Sequence, residues 1–235
     1  MVKIKFVALL IVLIPFLSIA TPNPVSNKEL IAQFPANAPK YNIYRIIKAE
    51  EKAYTTNWAF VIDASNSTSK VVGRLLAGFN VAVSHPSDEL NFCAFAFNQR
   101  WHYKFRSWRS ADLYGVEFSR TARWIRRNIG VNSYAMSAIQ GALLQPKKNL
   151  TIVIISDGGF SEDFADILGT IKKSQQWRVD NVYGLAVIAT VGIENHLSRL
   201  STPPYPKDPD SVCQDRMAQI GAEGSGGYYL VQRIE

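Results

Sequence analysis

The sequence predicts an α/β fold: a doubly wound, mostly parallel sheet of six strands, with helices on both faces and one antiparallel edge strand. Short apolar runs, such as Trp58–Asp63 and Leu150–Ser156, alternate with segments whose apolar residues recur at helical spacing. Because these runs have no polar face, they indicate strands buried on both sides of a parallel sheet. The composition, 47% hydrophobic and 19% charged over 235 residues, is that of a globular protein.

The six predicted strands differ in character. Leu90–Phe97 is a second apolar run, whereas Trp101–Trp108 alternates basic and aromatic residues, as an exposed edge strand does. In chain order the strands are predicted over Trp58–Asp63, Leu90–Phe97, Trp101–Trp108, Leu150–Ser156, Asn181–Ala189 and Gly227–Gln232.

Amphipathic segments between the strands predict the helices. The helix that begins at Ser133 ends before Pro146, which cannot continue a helix. The helices are predicted over Ser69–Ser84, Glu117–Asn128, Ser133–Leu144, Glu162–Trp177, Glu194–Leu200 and Ser211–Ile220. In doubly wound sheets the binding crevice lies at the carboxyl ends of the strands, near the point where the strand order reverses.

The first twenty residues indicate a secretory signal peptide. Lys3 and Lys5 precede an apolar run, Phe6–Ala20, that ends in small residues. This run has about 15 residues, fewer than the roughly 20 that a membrane-spanning helix needs. We expect cleavage near Ala20, a secreted or periplasmic protein, an N-terminal extension over 21–54 and a folded domain over 55–235. Membrane contact is expected only through an uncleaved N-terminal segment.

Charge and cysteine content add weaker information. Removal of Lys3 and Lys5 lowers the formal net charge from +7 to +5, which favours anionic surroundings without identifying a partner. Export permits a disulfide between Cys93 and Cys213. However, Cys93 lies in an apolar run typical of a buried strand, and buried free thiols are common, so two separate thiols are favoured.

Two polar runs follow predicted strands directly, and they are the residues with recognisable chemistry. One is Asp63–Ser67 and the other is Ser156–Gly159. We expect the carboxylate of Asp63 at a solvent-facing crevice, with Ser65 and Ser67 aiming both hydroxyls at one point. Carboxylate and hydroxyl oxygens suit Mg²⁺, Mn²⁺ or Ca²⁺ rather than Zn²⁺.

These runs resemble the metal-ion-dependent adhesion site (MIDAS) of the von Willebrand factor type A (vWA) family. That site has Asp-x-Ser-x-Ser after the first strand, a Thr before a central helix and an Asp after the fourth strand. Asp63, Ser65 and Ser67 match the first part. Asp157 matches the last part, and Ser133 stands where the family has Thr.

The resemblance implies a vWA or Rossmann-like fold and a role for each residue. Ser65 and Ser67 would bind the cation directly, and Ser133 would bind it directly or through water. Asp63 and Asp157 would balance its charge, largely through bound waters. One coordination position would stay open for an Asp or Glu side chain of a partner. Mg²⁺ is the expected cation, with Mn²⁺ or Ca²⁺ as alternatives.

The resemblance covers roughly residues 55–235 and predicts an exported, non-enzymatic protein-binding domain of the adhesion or assembly type. The expected partner is a protein that presents Asp or Glu. An anionic surface or polysaccharide is a second option, and nucleic acid is not expected.

Three alternatives remain open. The first is a metal-independent scaffold that binds anionic ligands through a basic-aromatic edge. In this edge, basic residues interleave with aromatic ones, and the basic residues are Arg100, Lys104, Arg106 and Arg109. The second is a hydrolase that uses the same cation, although the sequence shows no positioned general base. The third is that Asp63–Ser67 only caps the following helix, which would account for neither Asp157 nor Ser133.

Overall fold

The structure is a computed structural model that describes residues 25–26, 57–68, 91–98, 102–110, 123–193 and 210–231. Within these ranges the chain forms seven strands: β1 (Val25–Ser26), β2 (Asn57–Asp63), β3 (Asn91–Phe97), β4 (His102–Ser110), β5 (Leu150–Ser156), β6 (Val187–Ile193) and β7 (Ser225–Val231). The helices described there are α1 (Met136–Leu143), α2 (Phe164–Asp180) and α3 (Asp210–Glu223). A further helical turn spans 123–127.

All of these strands join one sheet in the order β1-β7-β6-β5-β2-β3-β4. Neighbouring strands run parallel except β3 and β4, which pair antiparallel. The predicted α/β class with a mainly parallel sheet is therefore confirmed. The described sheet has seven strands rather than six, because Val25–Ser26, within the segment predicted as an extension, pairs with Tyr229 and Leu230 of β7.

The strand order reverses between β2 and β5, and this reversal positions the site. From β2 the sheet extends through β3 and β4 on one side, and through β5, β6 and β7 on the other. Ile62 of β2 is paired with Ile155 of β5, so Asp63 and Ser156, the next residue of each strand, lie side by side. Such a switch point opens a crevice at the carboxyl ends of the strands.

Central strands of the sheet are buried on both faces. Trp58, Phe60 and Ile62 of β2 alternate with Ala59 and Val61, and all five side chains are fully buried. Ala59 and Val61 belong to an apolar cluster to which α1, α2 and α3 contribute. Because burial of a side chain such as Ile62 stabilises the fold by about 1.5–3 kcal/mol, both faces hold β2 in place.

Several element boundaries differ from the prediction. The predicted strand Asn181–Ala189 is wrong at its start, because α2 continues to Asp180 and Val182 adopts a turn with φ of 63° before β6 begins at Val187. The predicted helix from Ser133 begins at Met136, because the residues before it adopt no helical conformation.

Other predictions concern residues that the structure describes only in part or not at all. The signal peptide and the helices over Ser69–Ser84 and Glu194–Leu200 lie outside the described residues, as does the first half of the helix over Glu117–Asn128. Cys93 and Cys213 are both buried and are not joined in a disulfide, which confirms the prediction of separate thiols. In the part of the chain that is described, no helix is long and apolar enough to span a bilayer.

Candidate metal centre

Asp63 ends β2 at the carboxyl edge of the sheet, beside the switch point. Its side chain is fully buried, so the expectation that it faces solvent is wrong. The reason is that the chain folds back after β2, so that the backbone N–H of Ser65 donates to the carboxylate at 2.8 Å. Ala64 and Ser65 are themselves buried, and this turn closes over Asp63.

Neutral hydrogen-bond donors surround the Asp63 carboxylate in the described part of the chain. Besides the N–H of Ser65, the Ser156 hydroxyl donates to Oδ2 at 2.7 Å. The Ser133 hydroxyl lies 3.2 Å from Oδ1 and 3.1 Å from Oδ2. Burial, followed by the charge of Asp157, raises the pKa of Asp63 to about 7, against the lowering effect of the hydrogen bonds from Ser156 and Ser65.

The hydroxyls of the turn after Asp63 converge. The Oγ atoms of Ser65 and Ser67 lie 3.0 Å apart. Octahedral Mg²⁺ holds oxygens at about 2.0–2.1 Å, which separates neighbouring ligands by about 2.9 Å. Ca²⁺, with bonds of about 2.3–2.6 Å, separates them by about 3.3 Å or more in the same geometry. The two hydroxyls lie within hydrogen-bonding distance of each other, close enough to be neighbouring ligands of one small cation.

Thr68 fixes the position of Ser65 in this turn. Its Oγ1 donates to the carbonyl oxygen of Asp63 at 3.0 Å and lies 3.2 Å from the carbonyl oxygen of Ser65. It also lies 3.2 Å from the Ser65 hydroxyl. Because Thr68 is fully buried, these contacts hold the turn without competition from water.

Asp157 follows β5 and is buried beside Asp63, with 5% of its surface exposed. Its Oδ1 accepts a hydrogen bond from the N–H of Gly159 at 3.0 Å, while the N–H of Gly158 donates to the Ser156 hydroxyl at 3.1 Å. Gly158 has a φ of 79°, and a side chain there would meet the backbone carbonyl of Cys213 in α3. Glycine is therefore required for the loop that orients Asp157.

Ser133 is held by the loop that follows Asp157. The N–H of Ser133 donates to the Ser161 hydroxyl at 3.0 Å, and the N–H of Ser161 donates to the Ser133 carbonyl at 2.9 Å. Glu162 accepts from the N–H of Ala135 at 2.6 Å and from that of Met136 at 2.9 Å. Glu162 therefore caps α1 from a neighbouring loop, because α1 has no side-chain cap of its own.

The structure brings the predicted site residues to one place. Asp63 contacts Ser65 and Ser133, Ser65 contacts Ser67, and the charge of Asp157 acts on Asp63. The sequence analysis assigns no role to four supporting residues, which are Ser156, Thr68, Ser161 and Glu162. Ser156 carried a signal, because it is a polar residue at the end of an otherwise buried apolar strand.

Oxygen atoms dominate the possible ligands of this centre. In the described ranges no three His, Cys, Asp or Glu side chains are grouped so that they could hold a metal. A cation here would take hydroxyl oxygens from Ser65, Ser67 and Ser133, with the carboxylates of Asp63 and Asp157 close by. This set of donors fits a hard divalent cation.

Comparison with known proteins identifies the fold. No protein-family model and no curated protein matches the chain. It is similar to the pilus adhesin SpaC from Lactobacillus rhamnosus GG in the open conformation, with a TM-score of 0.51 and 9% identity over 79% of this chain and 28% of that one. It is also similar to the SpRpn10 VWA domain, with a TM-score of 0.45 and 15% identity over 76% of this chain and 88% of that one.

A third similar structure is proximal thread matrix protein 1 from the mussel byssus, solved with a zinc-occupied MIDAS motif. Its TM-score is 0.41, with 14% identity over 76% of this chain and 41% of that one. The likeness to the pilus adhesin, at a TM-score of 0.51, shows a shared fold. At these identities the likeness concerns the fold alone, so the ligand of this domain has to be argued from its own residues.

Proposed function

We propose that this vWA-like domain is an exported, non-enzymatic binding module that holds one divalent cation and binds an acidic side chain of a protein partner. The cation would be Mg²⁺, held by the hydroxyls of Ser65, Ser67 and Ser133, and Asp63 and Asp157 would balance its charge, largely through bound waters. The observation that supports the proposal best is the burial of two neighbouring carboxylates among neutral hydroxyl and N–H donors.

Buried carboxylates need compensation for the hydration they lose on folding. Asp63 and Asp157 destabilise each other, since the charge of Asp157 raises the pKa of Asp63. A divalent cation beside them would offset both charges at once, and bound cations are commonly the largest charges of their sites. The turn that carries Ser65 and Ser67 would supply uncharged ligands from the solvent side.

Uncharged direct ligands also explain why such a site would bind a partner. Hydroxyls of Ser65, Ser67 and Ser133 coordinate a cation without neutralising it, while carboxylates that act through water neutralise it less than direct ones. The cation therefore keeps much of its positive charge at the remaining coordination position. A carboxylate from a partner would be favoured there over water.

Choice of metal follows from the donor atoms. The MIDAS motif of the mussel protein holds zinc, which is also a divalent cation. In this chain the donors are oxygens, and the Ser65 and Ser67 hydroxyls, 3.0 Å apart, are close enough to bind one Mg²⁺ ion together. Export is supported by the apolar run Phe6–Ala20, which follows Lys3 and Lys5.

Calorimetric titration of the metal-stripped protein with Mg²⁺, Mn²⁺ and Ca²⁺ tests the proposal. We expect one saturable site, lost in Asp63→Asn and weakened at least about ten-fold in Ser67→Ala. Ser137→Ala is the matched control, because this serine is exposed on α1, four residues beyond Ser133. Equal binding by all variants, or no binding even with free acetate added to complete the coordination shell, would contradict the proposal.

The same samples separate binding from catalysis. A hydrolase that uses the cation as a Lewis acid would turn over a generic phosphoester in the presence of metal, and Asp63→Asn would abolish that turnover. The proposed binding module predicts no turnover above the uncatalysed rate with any of the three metals.

A further inference from the structure

An exposed strip of chain borders the proposed metal centre. The strip, Arg126–Asn132, joins the helical turn over 123–127 to Ser133. Every residue in it is exposed except Gly130. Its sequence contains two arginines, two asparagines and two aliphatic residues, and no acidic residue.

Backbone hydrogen bonds attach this strip to the turn that carries the hydroxyl ligands. The N–H of Gly130 donates to the carbonyl of Ala64 at 3.1 Å, and the N–H of Asn66 donates to the carbonyl of Gly130 at 2.8 Å. Ser65 and Gly130 consequently form a parallel bridge. The Ser133 hydroxyl is hydrogen-bonded to Asp63. The chain is therefore attached to the centre on both sides of Val131, through Gly130 and through Ser133.

Two aliphatic side chains of the strip point to solvent. Val131 is 77% exposed and Ile129 is 46% exposed, and they flank the buried Gly130. A single exposed aliphatic residue needs no explanation, but two that lie beside a binding position suggest a contact surface. Val131 lies two residues from Ser133, which corresponds to about 7 Å of extended chain.

Like the proposed cation, the charged residues around the strip favour an acidic partner. Arg126 and Arg127 are exposed next to Ile129, whereas Asp163 and Asp166 are exposed beyond Ser161, on the other side of Ser133. An apolar centre with neighbouring arginines is typical of protein interfaces. An acidic partner would therefore extend over the strip rather than over the start of α2.

On the basis of the proposed function, we infer that the partner presents its Asp or Glu together with an aliphatic side chain about two residues away. The carboxylate would bind the cation, and the aliphatic side chain would pack on Val131 and Ile129. The strip would thereby select among acidic side chains, which the cation alone does not distinguish.

Selection from a library of random displayed peptides, with the full protein as bait in Mg²⁺ or in a chelator, tests the inference. We expect peptides recovered only in Mg²⁺ to share an acidic residue with Val, Leu or Ile within two positions. A synthetic peptide of this kind should bind Val131→Ser about ten-fold more weakly than the unaltered protein. Leu185→Ser is the matched control, because this side chain is 66% exposed at the amino-terminal edge of the sheet.

The outcomes separate this inference from the proposed function. Peptides that share an acidic residue without an aliphatic neighbour, or unchanged binding by Val131→Ser, would overturn the inference and leave the metal-dependent function standing. Recovery that does not depend on Mg²⁺, or no recovery of acidic peptides, would contradict the proposed function and the inference with it. Titration of Val131→Ser with Mg²⁺ alone should match the unaltered protein, which shows that the variant folds and binds the cation.

Discussion

Asp63 concentrates the chemistry of the centre in one side chain. It is fully buried, it accepts hydrogen bonds from Ser65, Ser133 and Ser156, and it lies near a second carboxylate. The sequence motif locates Asp63 at the end of a strand but does not reveal its burial, because burial depends on how the following turn folds back. The Ser156 contact likewise depends on the register between β2 and β5, which no local pattern specifies.

We predict that this carboxyl makes the metal-free protein less stable as pH rises. The folded-state pKa of Asp63 is raised from 3.8 to about 7, so its contribution is fully present below the unfolded value and is lost as pH rises through about 7. The loss is at most about 1.4 kcal/mol per pH unit. Asp63→Asn removes the titrating group and should be more stable than the unaltered protein at pH 8, with a smaller difference at pH 5.

Urea unfolding at the two pH values, in the presence of a chelator, measures this difference. Mg²⁺ should stabilise the unaltered protein at pH 8 and leave Asp63→Asn unchanged, because the cation binds the folded state only. A difference between the two proteins that is independent of pH would contradict this account of Asp63.

At the scale of elements, the centre depends on contacts between segments that are distant in sequence. The loop after β5 carries Asp157, and the same loop holds Ser133 through Ser161 and caps α1 through Glu162. The apolar patterns predict the type of most described elements, since buried strands and amphipathic helices have distinct periods. They do not predict a cap that comes from another loop. The helix predicted from Ser133 therefore starts before α1, which begins at Met136.

The Glu162 cap should affect metal binding as well as stability. Glu162→Ala leaves two N–H groups at the start of α1 without their acceptor, which costs about 1–2 kcal/mol and loosens the neighbouring Ser133. We expect Mg²⁺ affinity to fall several-fold, with most of it recovered in Glu162→Gln, which keeps an acceptor oxygen.

Asp163→Ala provides the matched control for this prediction. Asp163 caps α2 by accepting a hydrogen bond from the N–H of Ala165 at 2.7 Å, so its loss should cost similar stability. Asp163 caps α2 rather than the start of α1 next to Ser133, and Mg²⁺ affinity should therefore stay unchanged. Urea unfolding measures the stability of both variants, and calorimetry measures their Mg²⁺ affinity. Equal effects on affinity would show that Glu162 has no specific positioning role.

At the scale of the whole molecule, the strand order places the centre. The reversal between β2 and β5 brings Asp63 and Asp157 close together although they are far apart in sequence. Alternation of apolar runs and amphipathic segments is enough to predict this class of sheet and the edge at which to look for a site. It is not enough to predict the pairing of Val25–Ser26 with β7, because two residues carry no periodic signal.

A crystal structure of the protein with Mn²⁺, whose anomalous scattering locates the ion, tests the proposed metal centre most directly. Mn²⁺ takes the same oxygen ligands as Mg²⁺. We predict one peak within coordination distance of the Ser65 and Ser67 hydroxyls, between them and the carboxylates of Asp63 and Asp157. An unoccupied centre at saturating Mn²⁺ with acetate present, or an ion bound only elsewhere, would contradict it.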